Sequence, residues 1–238
     1  MCTVTLSLLP DFNKGFVLTS NRDEAPFREA LPPEFYMEAG VKMLYPMDKE
    51  SGGTWIGVSE YSRVICLLNG GFAAHERETS YRQSRGIVVK DLLAAPDFDK
   101  GIKEYDLQGI EPFTIIAADW NSRLRFVELV WDGNSKHFKD LDLTKHLWSS
   151  SPLYDSAMKE QRESWFNTFQ KENDLTPDNF WKFHHSAGIG DKNIDVVMDR
   201  GFVRTQSITQ ITNTSAETII KFKDLQKEKI TERSFSFK

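Results

Sequence analysis

Residues 2–9 place Cys2, Val4, Leu6 and Leu8 on one parity and Thr3, Thr5 and Ser7 on the other. A period of two marks a strand with one apolar face, and a strand this early in a chain must find its partner downstream. Turn chemistry follows over residues 10–15, and Phe16-Val17-Leu18-Thr19-Ser20 returns as a second strand. The predicted hairpin brings Asn21, Arg22, Asp23 and Glu24 beside the end of the first strand that carries Cys2.

That cysteine has chemistry of its own. A small second residue is tolerated by methionine aminopeptidases, and removal of Met1 leaves Cys2 with a free α-amine next to its own thiol. The thiol titrates near ~8.5 and the amine near ~7.7–8.0, so at neutral pH the amine is partly unprotonated and can take the thiol proton. Nucleophile and base then reside in one residue.

With 238 residues, 39% of them hydrophobic and 27% charged, the chain has the composition of one soluble globular domain spanning 1–238. A formal charge of -5 without basic runs argues against nucleic acid and anionic membrane surfaces. The N-terminal apolar stretch is short, broken by Thr and Ser, and lacks a basic leader, so a cytoplasmic address without a transmembrane segment is expected. Two cysteines, Cys2 and Cys66, do not make a disulfide framework. His75, His146, His184 and His185 share no ligand spacing with cysteine or carboxylate, so no metal is expected.

Further along, residues 26–50 hold Pro26, Pro32, Pro33 and Pro46 among aromatic and methionine residues, and read as an irregular flap or pocket wall. Gly52 to Val58 and Arg63 to Asn69 form a hairpin signal, with Cys66 in its core; Phe113 to Ala118 and Leu124 to Trp131 form another, followed by a further short strand. Lys145 to Ser149 is a strand halted at Ser151-Pro152. Helices are predicted from Ser84, from Phe98, after Asp155 and from Pro177. Thr205 to Ile211 is a strand, and residues 222–238 read as a charged, frayed tail. Hairpins with segregated helix pairs indicate α+β layers with mostly antiparallel sheets.

An ordered set of motifs resembles the NRDE family, also called the transport and Golgi organisation family. The set comprises Cys2, Asn21-Arg22-Asp23-Glu24, Gly52-Gly53-Thr54-Trp55-Ile56-Gly57-Val58, Leu68-Asn69, Ser84-Arg85-Gly86, Ser151-Pro152-Leu153, and Arg204 with Ser207-Ile208-Thr209. That family is in turn similar to the cysteine N-terminal nucleophile hydrolases, which include penicillin V acylase and the bile salt hydrolases. The resemblance implies a four-layer αββα sandwich, with Cys2 as nucleophile, Asp23 holding its amine, Asn69 as oxyanion donor and Arg204 at the acylases' late arginine. Asn21, Arg22 and Ser150 become candidates for substrate or oxyanion contact. Two positions depart from the acylase pattern: Ser20 stands where an arginine precedes the aspartate, and Ser150 stands where an asparagine precedes Ser-Pro.

Two functions compete. The first is a cysteine amidohydrolase acting on a small-molecule amide through a Cys2 thioester, with no cofactor required. The second is a binding or transfer protein that keeps the hydrolase fold and takes an apolar ligand, an acyl lipid or non-covalent haem, against the 27–47 segment. The sequence leaves the oligomeric state open.

Overall fold

The computed structural model describes residues 3–10, 15–214 and 217–237. In chain order these form β1 (Thr3–Leu9), β2 (Gly15–Glu24), β3 (Ala30–Glu38), β4 (Val41–Asp48), β5 (Ile56–Ser59) and β6 (Arg63–Asn69), then α1 (Arg85–Ala94) and α2 (Phe98–Glu104). Strands β7 (Phe113–Asp119), β8 (Arg125–Trp131), β9 (Lys136–Leu141) and β10 (Lys145–Ser149) precede α3 (Ser156–Glu172) and α4 (Pro177–Ser186). Strands β11 (Arg204–Asn213), β12 (Thr218–Asp224) and β13 (Lys229–Phe235) follow. The chain divides into two compact units, residues 1–29 with 143–236 and residues 30–142. No helix among the described residues is long and apolar enough to cross a membrane.

The first unit is a six-stranded antiparallel sheet in the order β10-β1-β2-β11-β12-β13. Its helices start where sequence chemistry places them. Asp155 accepts from the Met158 N–H to cap α3, and Thr176 accepts from the Asn179 N–H to cap α4, whose first residue is Pro177. Phe166, Phe180 and Phe183 then meet Leu9 and Val17 of the sheet in one apolar cluster with Val196. Each such side chain contributes about 1.5–3 kcal/mol on burial.

The expected tail is a correction. Residues 222–238 carry the end of β12 and all of β13 instead of fraying. Their charges conceal a period of two: Ile220 and Phe222 are buried, whereas Lys221 and Lys223 reach Glu232 at 3.6 Å and Glu228 at 2.9 Å. Opposite charges across a hairpin support pairing.

The second unit is a seven-stranded antiparallel sheet in the order β3-β4-β5-β6-β7-β8-β9. Residues 26–50, expected to be irregular, supply β3 and β4. Pro32 and Pro33 are tolerated because β3 is an edge strand and they fall at the register shift between Leu31 and Glu34. Helix α1, capped by Ser84, packs on β5 and β6 through Val88, Val89, Leu92 and Leu93. The buried Arg63 guanidinium donates to Leu92 O and Ala95 O at its C-terminus and pairs with Asp119 at 2.9 Å.

Glycine sets how closely α1 approaches. A Cβ on Gly86 would lie 2.9 Å from Thr54 N, and the Thr54 N–H donates to Gly86 O at 3.2 Å. Gly86→Ala gains helix propensity of about 1 kcal/mol yet overpacks this contact at a cost of about 1–3 kcal/mol. The expected net outcome is a lower urea midpoint; an unchanged or raised midpoint would contradict the backbone contact.

Candidate active site

The ladder of the first sheet gathers the motif residues at one end. Thr3 pairs with Asn21 of β2 on one side and with Ser149 of β10 on the other. Across β2, Arg204 pairs with Glu24, Thr205 with Asp23 and Ser207 with Arg22, with an irregularity between Thr205 and Ser207. Asn21, Arg22, Asp23, Ser150 and Arg204 therefore cluster around the start of β1. Cys2, expected as the nucleophile, lies outside the described residues.

Strand alternation divides these side chains between the two faces of the sheet. Asp23 lies on the same face as Asn21. It is 2% exposed, and its two carboxylate oxygens accept from different elements, Oδ1 from the Thr205 hydroxyl at 2.5 Å and Oδ2 from the Tyr154 hydroxyl at 2.9 Å. Thr205 Oγ1 also accepts from the Met198 N–H.

Asn21 is fully buried and its amide is heavily committed. Its Nδ2 donates to His184 O at 3.0 Å and Val196 O at 2.8 Å, which fixes the amide orientation. Asn21 Oδ1 must then accept from His184 Nδ1–H at 2.5 Å, leaving His184 Nε2 to accept from the Thr5 hydroxyl at 2.8 Å. Burial is the main reason the His184 pKa falls to about 3, with His185 and Arg162 adding to it. The ring is a neutral strut.

The opposite face has a different character. Arg22 is buried there and donates from Nη1 to Arg28 O at 3.0 Å. Its neighbours on β2 and β11, Ser20, Ser207 and Thr209, are buried hydroxyls that find no hydrogen-bond partner among the described residues, and the same is true of Arg204 Nε. Where the acylases have an arginine, Ser20 leaves only a small hydroxyl.

Ser150 is buried just beyond the Thr3–Ser149 pair, and its carbonyl accepts from the N–H groups of Leu153 and Tyr154. It thus builds the turn that delivers Tyr154. Asn69 closes β6 of the second unit, opposite Phe113 and before Gly70, whose φ of 82° suits glycine. Among the described residues, no group of three His, Cys, Asp or Glu side chains could hold a metal ion.

The sequence reading did not single out Tyr154, Thr205, Arg162 or His184 for the site. A signal existed for His184, which shares the apolar face of α4 with Phe180 and Phe183 at helical spacing. Tyr154 follows directly after Ser151-Pro152-Leu153, and only the fold shows that it turns back to Asp23.

The description "Transport and Golgi organisation 2" matches residues 1–236 as a family model. The chain belongs to that family. No curated protein sequence matches the chain. Among solved structures, a Caenorhabditis elegans ortholog of N-acylethanolamine-hydrolyzing acid amidase is 9% identical, with a TM-score of 0.59 over 88% of this chain and 92% of that one. A variant of the conjugated bile acid hydrolase from Clostridium perfringens is 12% identical, with a TM-score of 0.53 over 100% and 97%. These likenesses show that this transport and Golgi organisation chain shares the α+β fold of those two hydrolases, with its mostly antiparallel sheets.

His184 provides a pH test. Its folded pKa of about 3 lies below its ordinary 6.5, so between those values the unfolded chain binds a proton that the folded chain refuses. Its contribution is fully present above pH 6.5 and declines as pH falls, with a slope of up to about 1.4 kcal/mol per unit. The stability difference between wild type and His184→Gln, from urea unfolding at pH 4.5 to 7.5, should shrink towards acid; a flat difference contradicts a neutral buried ring.

Proposed function

We propose that the chain is a cysteine amidohydrolase acting on a non-peptide C–N bond. With Met1 removed, the Cys2 thiol attacks the amide carbonyl and its proton passes to the α-amine. Collapse of the tetrahedral adduct forms a thioester and releases the amine, which takes that proton, and water then hydrolyses the thioester to the acid. Asp23 holds the α-amine in this scheme. The observation that carries the reading is Asp23 itself, a buried carboxylate anchored by two hydroxyls on the strand end beside the start of β1. A carboxyl group so placed is costly to bury unless its oxygens find hydrogen-bonding or charged partners.

The substrate class follows from chemistry and likeness together. Buried hydroxyls of Ser20, Ser207 and Thr209 leave polar capacity for a carbonyl or amide group, and the two structural neighbours are named for hydrolysing an N-acylethanolamine and a conjugated bile acid. Acyl amides are therefore the substrates to try first. Intact mass should show loss of the Met1 mass and single alkylation by iodoacetamide at Cys2, while buried Cys66 reacts slowly. Cys2→Ala should abolish labelling and release of amine from acyl amides without changing the urea midpoint, and Asp23→Asn should slow labelling about tenfold, as for loss of one charge-assisted contact. Retained turnover in Cys2→Ala would sink the reading.

A second reading, a carrier of apolar ligands, is favoured by β3, where Leu31, Phe35 and Met37 are exposed on an edge strand. Haem belongs to this reading as a ligand that the resemblance suggests. Titration with a fatty acid and with haem should give saturable tryptophan quenching that Phe35→Ser weakens; a linear, unsaturable response removes it.

A further inference from the structure

We infer that Tyr154 is a positioning residue for the Asp23 carboxylate, an inference that rests on the proposed hydrolase. Tyr154 is 2% exposed and donates its hydroxyl proton to Asp23 Oδ2. Thr205 holds the other oxygen, so the two hydroxyls together fix the rotation of the carboxylate plane. Neither contact alone can do so, because a carboxylate held at one oxygen still turns about its Cβ–Cγ bond.

The tyrosine ring is itself held in place. The Arg162 guanidinium carbon lies 3.7 Å from the ring centroid and that of Arg200 lies 5.2 Å from it. Cations near an aromatic face at such distances are attracted by the ring quadrupole, and more strongly when desolvated. Neither arginine is loose. Arg200 donates to Leu153 O at 3.0 Å and to Asn193 O at 2.7 Å and 2.9 Å. Arg162 is fully buried and donates to Ile194 O, Asp195 O and the Thr3 hydroxyl.

That last contact gives the arrangement its function. Thr3 immediately follows Cys2 in the chain, so one guanidinium touches both the neighbour of the nucleophile and the tyrosine that orients Asp23. Arg162 and Tyr154 thereby keep the start of β1 and the carboxylate in register with each other. Positioning of this kind matters because displacement by about 1 Å can cost a hundredfold in rate.

Tyr154→Phe removes the hydroxyl and leaves the ring between the two guanidinium groups. The test is the rate of Cys2 alkylation by iodoacetamide, followed by intact mass, in wild type, Tyr154→Phe, Asp23→Asn and the double variant. Temperatures are kept well below every unfolding midpoint. Tyr154→Phe should slow labelling about tenfold in wild type, the loss expected for one hydrogen bond to a charged group, and by less than twofold in the Asp23→Asn background. Thr205→Val, which removes the other hydroxyl, should follow the same pattern. A purely structural role would slow labelling equally in both backgrounds and would overturn the inference, as would an unchanged rate in Tyr154→Phe. If Asp23→Asn itself labels at the wild-type rate, the hydrolase reading fails instead.

Discussion

The three hydrogen bonds of the Asn21 amide are the contacts on which the first unit closes. One short side chain on β2 satisfies the last carbonyls of α4, through His184 O, and the carbonyl of Val196 in the segment leading to β11. From there the order propagates. The Val196 N–H donates to Ala187 O, the Met198 N–H donates to Thr205 Oγ1, and Thr205 donates to Asp23, two residues along from Asn21. The loop is a circuit that begins and ends on β2. Each buried group left unmet would cost about 1–3 kcal/mol, so removing Asn21 strands several partners at once.

The Asn21 to Glu24 tetrapeptide would be a turn on propensity alone, since Asn and Asp favour turns. It is strand because its neighbours on both sides offer complete ladders, β1 through Thr3 and β11 from Arg204 to Ile208. Pleating then gives the tetrapeptide two separate duties. Asn21 and Asp23 work toward Tyr154, Thr205 and α4, while Arg22 shares its face with Ser20 and Ser207. A turn would have exposed all four to water, whereas a strand buries three of them nearly completely.

Much of this was legible before any coordinates. The alternation in residues 2–9, the apolar runs of β6 to β8, the caps at Ser84 and Asp155 and the helix start at Pro177 all follow local chemistry, and local chemistry decides them. What escaped notice depends on partners distant in sequence. Proline-rich β3 is tolerated only because it is an edge, and β12 and β13 look like a solvated tail until their lysines are paired with the glutamates across the hairpin. The same holds at the site. Asp23 could be named from its motif, but Tyr154 stands 131 positions away and Thr205 stands 182 away, so no local pattern joins them.

The two faces of this sheet end also differ in how their polarity is met, and the difference separates structure from chemistry. On the Asn21 face every described amide, hydroxyl and imidazole that surrounds Asp23 has a partner, as expected where rigidity is required. On the Ser20 face three hydroxyls and one guanidinium nitrogen are buried without partners among the described residues. The same strand end thus carries two kinds of buried polarity, one met within the chain around Asp23 and one on the Ser20 face with hydrogen-bonding capacity unused among the described residues.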